Sequence, residues 1–192
     1  MPAEPPLILA FDTSAARCAA ALVSAGRVLV ARDEATGRGQ AERLLPMLEE
    51  MLADAGAEWA DLGGIAVATG PGNFTGVRIA VAAARGLALA LGVPAVGVTA
   101  FEALAGPGEA TVAIEDRRGT VFVQRFDDRV PLGEPAAGAH PAPLPEAAIR
   151  VDCAALARIA AGRLWSAPSP APLYLRPADA MPPAEAPPPI LE

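Results

Sequence analysis

The chain has 192 residues, 53% of them hydrophobic but only 4% aromatic, with a formal net charge of −7. A chain of that length buries roughly 70% of its unfolded surface, so a core without staples is affordable and disorder of the body is excluded. The acidic balance also excludes a nucleic-acid footprint spread over the whole surface, because phosphate binding is driven by basic side chains. All 15 basic residues are Arg, with no Lys anywhere.

Leu7-Ile8-Leu9-Ala10-Phe11 is an apolar run ending in Asp12-Thr13-Ser14. Cys18 to Val23 and Arg27 to Val30 are two more strand-like runs, with Ser24-Ala25-Gly26 as a turn signal between them. The first three strands therefore read as a meander. Gln40 to Asp54 reads as a helix, with Leu44, Leu48, Met51 and Leu52 on one stripe and Leu45 widening it. Pro46 conflicts with a straight helix and implies either a later start or a bend. Ile65 to Thr69 reads as a buried strand. It runs into Gly70-Pro71-Gly72-Asn73-Phe74-Thr75-Gly76-Val77-Arg78 and then a helix reaching Leu91. Ala95 to Thr99 is a further strand. A meander followed by crossover helices gives an α/β fold with a mixed sheet.

A second unit begins near Gly106, with strands at Thr111 to Ile114 and Thr120 to Phe126. Of the 21 prolines, 14 lie after position 130. Pro131 to Pro145 and Pro168 to Pro172 therefore read as irregular connections around a helix from Cys153 to Leu164. Three regions result: a first subdomain over 1–105, a second over 106–181, and a proline-rich tail over 182–192.

The start of the chain has no basic region before an apolar one, and the stretch from Ile79 to Val98 is broken by Arg85 and Pro94. A cytoplasmic protein with no membrane contact is expected. Cys18 and Cys153 have neither disulfide-framework nor zinc spacing and read as small buried residues.

The glycine-rich turn offers two readings: a phosphate cradle at a helix N-terminus, or a turn shaped for tight packing. A phosphate loop of the G-x-x-x-x-G-K-[ST] kind needs a Lys, which this chain lacks, and Gly76 comes one residue too late for G-x-G-x-x-G. Packing is favoured, with Asn73 or Thr75 as helix cap and Gly70, Gly72 and Gly76 allowing close approach. Asp12-Thr13-Ser14 reads as an Asx or Ser/Thr turn over a metal or phosphate turn. His140 is the one histidine and has no matching ligand set, so no catalytic residue and no metal or cofactor site is assigned.

The helix after the loop is apolar nearly all round, with only Arg78 and Arg85 marking a polar stripe. Such a helix needs cover on both sides. One side takes the sheet, and the other needs a second helix or a second protein. Too few other elements are available, which favours a partner.

Five strings together resemble the TsaB (YeaZ) family, bacterial accessory proteins of tRNA threonylcarbamoyladenosine (t6A) biosynthesis. They are Ile8 to Ser14, Gln40 to Pro46, Gly70 to Ala80, Glu115 to Val121, and Leu173-Tyr174-Leu175-Arg176. The family's usual His is Gln40 here, its loop Ser is Asn73, and the region from Val130 to Ala148 is shortened. The resemblance implies an actin/hexokinase-like (ASKHA) fold of two subdomains, the second shortened, with no catalysis of its own. It implies pairing through the first two helices with TsaD, the catalytic subunit, and a homodimer when TsaD is absent. TsaE, an ATPase, joins the assembly, and tRNA is met only through the complex. On this reading the partner-facing residues are Leu44, Leu45, Leu48, Met51 and Leu52 of the first helix. In the second they are Val77, Ala80, Val81, Ala84, Leu87 and Ala88. The competing reading is an autonomous ASKHA-type ATPase or a glycoprotease-like hydrolase.

Overall fold

The computed structural model describes residues 5–115, 119–138 and 150–175. Five strands form a mixed sheet in the order β3-β2-β1-β4-β5. β1 (Leu7–Asp12), β2 (Arg17–Ser24) and β3 (Arg27–Ala35) are antiparallel neighbours. Ala25 and Gly26 both take positive φ between the paired Ser24 and Arg27, the two-residue turn whose twist matches its strands. β4 (Leu62–Ala68) and β5 (Ala95–Val98) then add in parallel to β1.

β3 runs the same way as β4, so α1 (Gln40–Asp54) connects two parallel strands. α2 (Phe74–Leu91) does the same between β4 and β5. Both crossovers step in one direction along the sheet, and the right-handed rule therefore places both helices on the same face. α1 continues through Pro46. Pro46 and Glu42, whose carbonyl would otherwise accept the missing amide, are both exposed, so water can replace that bond. α2 starts at Phe74 and holds 18 residues, which makes it long and apolar enough to cross a membrane by length and composition alone. That length corrects the shorter apolar pieces read from Arg85 and Pro94. Here one face of the helix lies on the sheet.

Strand side chains alternate between two cores. Toward α1 and α2 the sheet presents bulky residues, among them Leu9, Phe11, Leu22, Ile65 and Val67. The opposite face is floored by Ala10, Ala19, Ala21, Ala66 and Ala68. That shallow floor receives α4 (Cys153–Ala161), which presents Ala154, Leu156, Ala157 and Ala160. Leu164 follows and fills the space that a side chain at Gly64 would occupy.

The rest forms a small antiparallel sheet. β6 (Glu109–Glu115) pairs with β7 (Val121–Asp127), which also pairs with β8 (Val130–Pro131) and β9 (Ala136–Ala137). Its inner residues Val112, Ile114, Phe122 and Phe126 share one core with α4 and with Phe101 of α3 (Ala100–Leu104), a short helix that the sequence reading missed. The division at 105/106 needs one correction. α4 packs on the first sheet, with Arg17 Nη2 donating to the Val151 carbonyl at 2.8 Å and Leu173 N to that of Thr69 at 2.8 Å. A helix face rich in Ala seats closely on a sheet floor rich in Ala, and the first sheet supplies one. The tail over 182–192, His140 and Asp116 lie outside the described residues.

Candidate functional site

In open α/β sheets the usual ligand position is beyond the carboxyl ends of parallel strands. Here those ends are Asp12 of β1 and Thr69 just past β4. The chain fills the position itself. Ser14 N donates to Asp12 Oδ1 at 2.7 Å, which is the Asx turn expected for Asp12-Thr13-Ser14. The glycine loop then locks onto this turn. Asn73 N donates to the Ser14 carbonyl at 2.6 Å, and Thr13 Oγ1 donates to the Gly76 carbonyl at 2.7 Å.

The loop glycines are there for contact rather than for phosphate. A Cβ at Gly72 would meet the Ser14 Cβ at 2.6 Å and its carbonyl oxygen at 2.7 Å. A Cβ at Gly76 would lie 2.9 Å from the Thr13 carbonyl carbon and closer still to its oxygen. Gly70 has a φ of +95°, in the left-handed region that side chains disfavour. Asn73 is the cap: its Oδ1 accepts from Thr75 N at 3.0 Å and from Gly76 N at 3.2 Å. Thr75 itself is an exposed residue of the first turn. The N–H groups that a phosphate would need at positions 73, 75 and 76 are therefore already occupied.

Asp12 is fully buried, with Arg17 Nη2 at 3.5 Å from its Oδ2. Arg17 also pairs with Asp33, so it ties β1, β3 and the returning chain together. Among the described residues no group of three or more His, Cys, Asp and Glu is arranged to hold a metal. Both cysteines are buried, and burial pushes both thiols up from their ordinary range, Cys153 strongly.

The expected interface residues fall mostly on the wrong side of their helices. Leu44, Leu48, Met51 and Leu52 of α1 and Val77, Ala80, Val81 and Ala84 of α2 are buried against the sheet in a single chain. They are core residues, and a partner cannot touch them without unfolding the subunit. Of that set only Leu45, at 44% exposed, lies on the surface, with Leu87 and Ala88 half-buried. The outward surface instead carries Ala41, Leu45 and Pro46 on α1 and Thr75, Ala82, Gly86 and Leu89 on α2, beside the exposed charges Glu42, Glu49, Arg78 and Arg85. Leu89 is 87% exposed. The outward α2 residues are the complement of the stripe that packs inward, and the sequence contained that signal.

One cluster escaped the sequence reading altogether. Arg78 Nε donates to Tyr174 Oη at 2.8 Å, and its guanidinium lies 3.6 Å from the centre of the Phe74 ring. The two rings stand 5.4 Å apart, tilted by 35°.

A family model described as TsaD, tRNA N6-adenosine threonylcarbamoyltransferase, matches residues 33–127. An uncharacterized protein of Mycobacterium tuberculosis is 34% identical, over 91% of this chain and 94% of its own length. The Escherichia coli tRNA threonylcarbamoyladenosine biosynthesis protein TsaB is 37% identical, over 66% of this chain and 59% of that protein. The solved structure of YeaZ from Pseudomonas aeruginosa superposes with a TM-score of 0.71 at 28% identity, covering 88% of this chain and all of that one. The fold is thus the actin/hexokinase-like one of these neighbours, and the chain belongs to the TsaB (YeaZ) family.

Proposed function

We propose that this chain is the accessory, non-catalytic subunit of a cytoplasmic tRNA-modifying assembly. In it, TsaD transfers a threonylcarbamoyl group to N6 of adenosine 37 in tRNAs reading codons that start with A. The chain pairs with TsaD through the outward side of α1 and α2, TsaE joins the complex, and a second copy of the chain takes the same surface when TsaD is absent. tRNA is reached through the complex, and no cofactor is required of this subunit.

The carrying observation is α2. Of its 18 residues only Gly76, Val77, Ala80, Val81 and Ala84 are buried, yet its sole charged residues are Arg78 and Arg85. An apolar helix left this open is a marker of a protein interface. Covering Leu89 alone is worth about 2 kcal/mol. The filled strand ends support the same division of labour, since they leave no cradle for a nucleotide where such sheets usually hold one.

Two measurements test the proposal. Calorimetry of the isolated chain with ATP and Mg²⁺ is expected to show neither tight binding nor hydrolysis. Co-expression with TsaD is expected to yield a stoichiometric complex, and t6A formation is expected to require both chains. Turnover of ATP by this chain alone would overturn the reading.

A further inference from the structure

Between Leu62 and Phe101 the chain has no acidic residue, and its only charges there are Arg78 and Arg85. Arg78 is held unusually well for an exposed side chain. Its Nε is committed to Tyr174, and one face of its guanidinium is stacked on Phe74. Tyr174 is held in turn, because the segment before it passes Pro170 beside Gly97 and bonds Leu173 N to Thr69. Phe74 and Tyr174 remain 46% and 47% exposed. What is left free is the fork of two terminal nitrogens, which have no partner among the described residues. A planar guanidinium with a fixed plane and a free fork is the geometry that takes a carboxylate through two parallel hydrogen bonds.

We infer that Phe74, Arg78 and Tyr174 form a preassembled receptor for an Asp or Glu side chain of the protein that docks on α1 and α2. This rests on the reading of that surface as the TsaD-facing one and adds which chemistry anchors it. The cluster is continuous with the exposed Thr75 and Ala82 of the same helix. A polyanion such as RNA fits less well: the adjacent α1 exposes Glu42 and Glu49, and the chain carries a net charge of −7. A single carboxylate meets that repulsion once, whereas a polyanion meets it at every phosphate along its length. Because the stack already restricts the Arg side chain, binding loses little further rotamer freedom.

The test uses the full chain and its cognate TsaD, with affinity measured at 0.05 and 0.5 M NaCl and folding checked by thermal melting. Arg78→Met is expected to weaken pairing about ten- to a hundredfold at low salt and to flatten the salt dependence. Arg78→Lys keeps the charge but not the fork, and is expected to recover only a minor part. Tyr174→Phe, which keeps the ring and frees Nε, is expected to cost about threefold. Pairing by Arg78→Met within twofold of the native chain, with Ala82→Arg abolishing it, would refute the receptor while leaving the surface in place. Native pairing by Ala82→Arg as well would remove the underlying surface. A loss in Arg78→Met that is equal at both salt concentrations also counts against the receptor, since it marks packing rather than charge. Intact TsaD pairing with weakened tRNA capture by the complex would reassign the fork to a phosphate.

Discussion

Gly76→Ala is the sharpest perturbation of the loop. In an ordinary helix the change is favourable by about 1 kcal/mol, because Ala is the better helix former. Here the added Cβ would stand 2.9 Å from the Thr13 carbonyl carbon and 3.3 Å from Ser14 Cα, both backbone atoms that no rotamer change can move. Ordinary carbon contacts begin near 3.5 Å, so α2 and the Asp12-Thr13-Ser14 turn must part by on the order of 1 Å. That separation strains two short bonds, Thr13 Oγ1 to the Gly76 carbonyl at 2.7 Å and Asn73 N to the Ser14 carbonyl at 2.6 Å. Overpacking costs about 1–3 kcal/mol, and each buried polar group left unsatisfied about 1–3 more. A net loss of about 3–5 kcal/mol follows, a large fraction of a domain's stability. For a chain of this size it corresponds to a melting temperature about 6–20 °C lower. Gly86→Ala is the internal control: it sits in the same helix with nothing within 4 Å of its would-be Cβ. It is expected to gain about 0.5–1 kcal/mol. Thermal melts and urea titrations of both variants decide the matter. A Gly76→Ala protein within 1 kcal/mol of the native chain would refute the contact argument, and equal effects at the two glycines would refute it more directly.

Leu48→Arg and Ala84→Arg are expected to abolish folding of the subunit itself, because both side chains are wholly buried and an unpaired buried charge costs several kcal/mol; a folded monomer by circular dichroism for either variant would contradict the assigned core. Leu45→Glu, placed on the outward side, is expected to leave the melting temperature within about 2 °C while disrupting pairing with TsaD, as read by gel filtration of the co-expressed chains. Glu50 contributes to acid stability, because its carboxyl is held down at about 2 by hydrogen bonds from Arg43 and then Arg32. A lowered native value means stability present above the unfolded range and lost as pH falls. The native chain is therefore expected to exceed Glu50→Gln in urea midpoint at pH 7, with the difference fading between pH 4.5 and 2; a difference that persists below pH 2 would rule out this linkage.

The first sheet was largely legible because its signals are local. Periodicity marked α1 over Gln40–Asp54, with Pro46 leaving its start open, and the turn at Ala25-Gly26 marked the meander. The placement of α4 was not legible, since it depends on matching two small-residue faces that lie far apart in the chain. The Arg78–Tyr174 bond, spanning 96 positions, was hidden for the same reason. The interface residues were misplaced by a different route. An apolar stripe at helical spacing marks the side that faces the sheet, and Leu44, Leu48, Val77 and Val81 are such positions. Residues that serve the outer side of α2, such as Ala82 and Gly86, are small rather than strongly apolar, and a stripe search passes over them.

The filled strand ends and the open helix surface are one arrangement. The bond from Thr13 to Gly76 fixes the first turn of α2 onto the end of β1, and Asn73 caps that turn from within the loop. The same turn carries Phe74 and, one turn later, Arg78. A helix pinned at its start presents its outward side at a fixed angle, so a partner does not have to order it on binding. Loss of the Gly76 contact is therefore felt twice, once in stability and once in the position of the docking surface. At a temperature where Gly76→Ala is still folded, its affinity for TsaD should fall further than that of a variant equally destabilised at a site remote from the loop, such as Ala157→Gly in α4. Equal affinities at matched stability would separate the two, leaving the loop a purely structural clasp with no influence on docking.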